Sequence, residues 1–97
     1  MQLANQVKPE SVVIYIPRCF EEEQEIADQL LMGRVVLVDF KYIDFNIKQR
    51  IVSFLEGTLF GIDGKLVEIR DDVLLLLPKG ALVEKEQSET PVLKAIE

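Results

Sequence analysis

Five apolar residues run without a break from Val73 to Leu77, behind Asp71 and Asp72 and ahead of Pro78. A strand with one wet face alternates apolar and polar side chains, so an unbroken run points to a strand covered on both faces. "SVVIYIP" (residues 11–17) and "RVVLVDF" (34–40) have the same character. Between those two, "FEEEQEIADQLLM" (20–32) predicts a helix with Phe20, Gln24, Ala27, Leu30 and Leu31 along one side. Glu21, Glu22 and Glu23 fall in its first turn, where they complement the helix dipole, and Gly33 suits the position just past its end. Strand, helix, strand over so few residues implies a right-handed parallel crossover. Asp44 can then cap a second helix in which Ile47, Ile51, Phe54 and Leu55 share a face, with Gly57 closing it. From Thr58 the period changes to two. "TLFGI" meets Asp63-Gly64, a hairpin signal, "KLVEI" returns, and Arg70 to Asp72 turns into the leucine run. The predicted order is β-α-β-α-β-β-β, an α/β two-layer sandwich with two helices on one mixed sheet.

Residues 1–10 and 81–97 are polar and read as flexible segments around a folded core at 11–80. Two helices on one side cover a single face of the sheet, which leaves the question of what covers the other. A wet Leu forgoes about 1.5–3 kcal/mol, a large share of a small domain's stability. A second copy of the chain is the simplest cover, because a two-fold axis places one patch against itself. The alternative is the C-terminal segment, with Val92, Leu93 and Ile96, folded back over the sheet.

Composition narrows the functional classes. The chain has 97 residues and a net charge of −6, and residues 11–78 hold 12 acidic and 7 basic side chains. That sign of charge repels phosphate backbones and anionic headgroups, so nucleic acid is not an expected partner. A single cysteine, Cys19, excludes an internal disulfide. There is no histidine, which removes the commonest general base and metal ligand. No glycine-rich phosphate loop opens a helix after a strand. Asp39 and Asp44 flank the turn after the second strand and could hold a divalent cation, although Asp44 is more economically a helix cap. Neither catalysis, nor a cofactor, nor a metal is expected.

"IPRCFEEEQEIADQLLMGRVVLVDF", "KQRIVSFLEGTLFGIDGKLVEI" and "VLLLLP" together resemble the core domain of the SepF cell-division proteins, in register from Val12 to Pro78. The resemblance implies a non-enzymatic, homodimeric adaptor. It would bind the C-terminal tail peptide of the tubulin-like protein FtsZ and help tether or align FtsZ filaments at the septum, in the cytoplasm on the inner face of the membrane. The implied tail-binding residues are Lys48 and Ile51 on the second helix, Phe60 on the strand after it, and Glu68 and Leu74 on the last two strands. Gly57 is implied in close subunit packing and further assembly. Relatives commonly carry an aromatic at the position of Leu74 and a basic residue at that of Glu68; the reversed charge favours a more basic ligand. "MQLANQVKPE" lacks the amphipathic anchor helix usual in bacterial members, so no lipid binding is expected of the chain as given. "VVLVDFKYIDF" also resembles STAS-type regulatory modules, but Phe45 stands where these carry a phosphorylatable Ser or Thr.

Overall fold

A computed structural model describes residues 12–85 and 91–94, with side chains over 12–81. Strand β1 (Val12–Tyr15) leads through a 3-10 turn (Phe20–Glu22) into α1 (Glu23–Leu31) and then β2 (Val35–Asp39). Helix α2 (Phe45–Gly61) connects to β3 (Lys65–Arg70) and β4 (Val73–Leu77). The sheet order is β1-β2-β4-β3, with β1 parallel to β2 and the other two pairings antiparallel. Two helices on a mixed four-stranded sheet is the architecture expected from the sequence. Two further strands, β5 (Leu82–Lys85) and β6 (Pro91–Lys94), pair with each other as an antiparallel hairpin outside that sheet, within the segment read as a flexible tail.

Helix termini follow the sequence closely. The Asp44 carboxylate accepts a 2.9 Å hydrogen bond from the Ile47 backbone N–H, which satisfies one orphan donor of α2. At the end of α1, Gly33 adopts φ +86°, and the Gly33 and Arg34 amides return to the Leu30 and Gln29 carbonyls. This is the left-handed, doubly bonded ending that glycine favours.

The main departure lies at 58–62. Helix α2 runs through "TLFG" to Gly61, so the expected strand is helix, and Gly57 sits in the helix interior instead of closing it. Asp63, at φ +61°, takes the left-handed position after Ile62, and the Asp63 and Gly64 amides bond back to the Phe60 and Leu59 carbonyls. The Asp-Gly pair does turn the chain, but it ends a helix where a hairpin was expected. Ile51, Leu55 and Leu59 recur every four residues and are all buried, so packing on the sheet overrides the local alternation of "TLFGI".

The faces of β4 divide as its unbroken apolar run implies. Leu74 and Leu76 join Val36, Val38, Phe40 and the inner faces of both helices in the larger core cluster. Leu75 and Leu77 pack with Val35 on the other side, ringed by half-buried Val12, Leu37, Val67 and Ile69. Helix α1 contributes Ile26, Ala27 and Leu30 to the core, while Leu31 and Gln24, expected on its inner side, face solvent.

Candidate functional site

Helix α2 lies between α1 and the β3 edge: it contacts β3 on one side, and its Arg50 guanidinium stacks 3.8 Å from the Phe20 ring centroid on the other. Its buried stripe rests on the sheet. The residues implied in peptide binding are spread over α2, β3 and β4 and lie at very different depths.

Lys48 is drawn into the fold. Its Nζ donates to the Asp72 carboxylate at 3.0 Å, and its side chain is only 18% exposed. Asp72 is held in the β3–β4 turn at φ +65°, and its carbonyl accepts from the Phe40 amide at 2.7 Å. The Lys48 charge is therefore already matched within the fold. Ile51 and Leu74 lie in the core, 0% and 5% exposed, so either shapes a surface only from beneath. Glu68 is exposed on β3 and pairs directly across from Leu74.

Phe60 is the outlier at 89% exposed, and it stands on the last turn of α2, not on a strand. A wet aromatic of that size forgoes burial that would be favourable anywhere else. Gly57 lies one turn earlier on the exposed side of α2, with open space where the Cβ of any larger residue would stand. A backbone so bare admits close approach of another element.

A second feature occupies the edge where β1 and β2 end. Arg18, Cys19, Phe20, Glu21, Tyr42 and Asp44 line a cavity of about 360 Å³, with the Arg18 guanidinium 4.2 Å from the Tyr42 ring centroid. The carboxylates considered for a cation have other work here. Asp44 caps α2, and Asp39 accepts from the Lys41 amide at 3.0 Å and faces the Lys41 ammonium at 3.5 Å. Cys19 is exposed; hydrogen bonding to Glu21, followed by desolvation, raises its thiol pKa above the ordinary value, which keeps it a poor nucleophile. Among the described residues, no three carboxylate or thiol groups converge as a metal site, and no helix is long and apolar enough to cross a membrane.

In class the chain is an α/β two-layer sandwich that presents several exposed aromatics, Phe60 most of all. The family model for the cell division protein SepF matches residues 12–83, and the chain belongs to that family. It is 41% identical over 68 residues to the cell division protein SepF of Limosilactobacillus reuteri, covering 70% of this chain and 49% of the relative. To that of Carboxydothermus hydrogenoformans it is 37% identical over 78 residues, covering 80% and 57% respectively. The chain thus spans about half the length of these curated relatives. In fold it is similar to a SepF-like protein from Archaeoglobus fulgidus, with TM-score 0.71 at 19% identity over 78% of this chain and 94% of that one. A SepF-like protein from Pyrococcus furiosus aligns with TM-score 0.59 at 23% identity, over 74% and 93%. Membership of a cell-division family takes precedence over the STAS-type resemblance.

Proposed function

We propose that this domain is a non-enzymatic adaptor of the division ring that binds the C-terminal tail of FtsZ and helps hold FtsZ filaments at the septum, on the cytoplasmic face of the membrane. The observation that carries the reading is Phe60, presented almost fully to solvent on the last turn of a helix whose other face is firmly packed. An exposed aromatic on a rigid element is an economical anchor for a short peptide, because little side-chain entropy is lost on binding. Ile51 and Leu74 support the surface from below, Glu68 supplies charge, and Lys48 positions the β3–β4 turn through Asp72.

The adaptor acts as a homodimer in this reading. Ile14, Leu37, Leu75 and Val67 stand opposite one another across all four strands, forming an apolar row on the sheet face away from the helices. Ile14 is 65% exposed at one end of that row. A second copy set against this margin would bury Ile14, and Gly57, on the opposite layer, remains available for further assembly.

The test is a fluorescence-anisotropy titration with a labelled FtsZ tail peptide from the same organism and its scrambled control. Saturable binding of the native order alone is expected. Equal binding of both peptides, or of neither by folded protein, rejects FtsZ as the partner.

A further inference from the structure

Strands β1 and β2 are adjacent and parallel, so their carboxyl ends meet at one edge of the sheet, the edge outside which α/β sheets commonly take small ligands. The segments that follow the two strands line the cavity there, whose volume of about 360 Å³ is at the small end of the usual ~300–1,000 Å³ for small-molecule sites. Phe20, Ile43 and Ile47 line it as half-buried residues packed against the main core, which makes one wall apolar and firmly held.

The charges of the cavity are opposite in sign and not spent on one another. The Arg18 guanidinium lies 4.2 Å from the Tyr42 ring centroid, and stacking on that ring leaves the N–H fork at its rim for a carboxylate. Glu21 and Asp44 line the same cavity, yet neither of the ion pairs found among the described residues includes Arg18, Glu21 or Asp44. Capping the Ile47 amide occupies only one of the two Asp44 oxygens. A cation and two carboxylates that share one space without pairing are complementary to a ligand that carries both signs. A simple anion is repelled there by the carboxylates, and a simple cation by Arg18.

We propose that this cavity binds a free α-amino acid with an apolar side chain. Its carboxylate takes the Arg18 fork, its ammonium faces Asp44 and Glu21, and its side chain rests on Phe20, Ile43 and Ile47. The two charged groups of an α-amino acid sit on one carbon, so a single small molecule satisfies both signs while its side chain covers the apolar wall. The site precedes the first turn of α2, whereas Phe60 stands on the last, so it is separate from the peptide-binding reading and neither depends on the other.

Titration of the whole chain, read from its backbone amide shifts by NMR, tests this with L-leucine and two analogues that each lack one charge: 4-methylpentanoate, without the ammonium, and L-leucinamide, without the carboxylate. Expected are saturable shifts at residues 18–21 and 42–47 with L-leucine, and at least about tenfold weaker binding of each analogue. Arg18→Gln, at an exposed position, should weaken L-leucine binding at least about tenfold with the spectrum elsewhere unchanged. Asp44→Asn keeps a good helix cap and removes the charge; it should weaken L-leucine severalfold without weakening 4-methylpentanoate, a split that a purely structural role for Asp44 does not produce. Either analogue binding as tightly as L-leucine overturns the proposal in favour of a simple ion site. No saturable shift at these amides by about 10 mM L-leucine, tenfold above a millimolar Kd, overturns it outright.

Discussion

Leu74 shows how much the meaning of a residue depends on its depth. The family resemblance implies it as a contact for the ligand peptide. At 5% exposure within the main core cluster, it is a packing residue whatever else it touches. Leu74→Ala should cost about 2–4 kcal/mol in urea denaturation, and Leu74→Lys should abolish the folded state. Cys19 is the opposite case, fully accessible yet restrained by its acidic neighbours, with its thiol 3.7 Å from Glu22 Oε2 in addition to the Glu21 interaction. A pKa raised above the ordinary thiol value leaves less thiolate at any given pH. Iodoacetamide should therefore modify Cys19 more slowly near pH 8 than it modifies a cysteine in an unstructured peptide, and Glu21→Gln should speed the reaction.

At the scale of elements, the two glycines of the α2 region separate helix propensity from packing. A Cβ at Gly57 meets nothing within 4 Å, so Gly57→Ala in mid-helix should stabilise the domain by about 0.5–1 kcal/mol. A Cβ at Gly64 would lie 2.5 Å from the Leu77 carbonyl oxygen and 2.8 Å from Leu59 Cδ2, one of which is backbone and cannot give way. Gly64→Ala should cost about 1–3 kcal/mol, and thermal unfolding of the two variants should move in opposite directions. Most elements are legible from periodicity and caps: both early strands, the Asp44 cap, the Gly33 ending and the leucine strand. The strand expected at 58–62 is not. Its alternating pattern is real, but so is the four-residue recurrence of Ile51, Leu55 and Leu59, and only the sheet beneath α2 decides between them. Family resemblance singles out Phe60, and the same alternation places it on the wrong element.

For the whole molecule, the two-sided apolar sheet is the dominant feature. One chain closes the centre of the second face around Val35, Leu75 and Leu77, but leaves its margin at Ile14 wet. Ile14→Lys changes a side chain already 65% exposed, so the fold should persist while the dimer proposed above is lost. Sedimentation velocity should then give a dimer mass for the parent protein and a monomer mass for the variant. The same mass for both would place the subunit contact elsewhere.

The sequence by itself determined the class of fold, since unbroken β-branched and leucine runs demand a sheet buried from two sides, and helical periodicity with Asp and Gly caps supplies the cover for one of them. It also determined the absence of histidine and the acidic balance that favours basic ligands. The tertiary structure alone decided where α2 ends, that Lys48 is paired with Asp72 across 24 residues of sequence, and that Phe60 stands almost fully exposed on the last turn of that helix. These depend on how layers stack. Local patterning fixes which side of an element is apolar, but the partner of each charge and the neighbour of each exposed ring are set by contacts between segments distant in the chain.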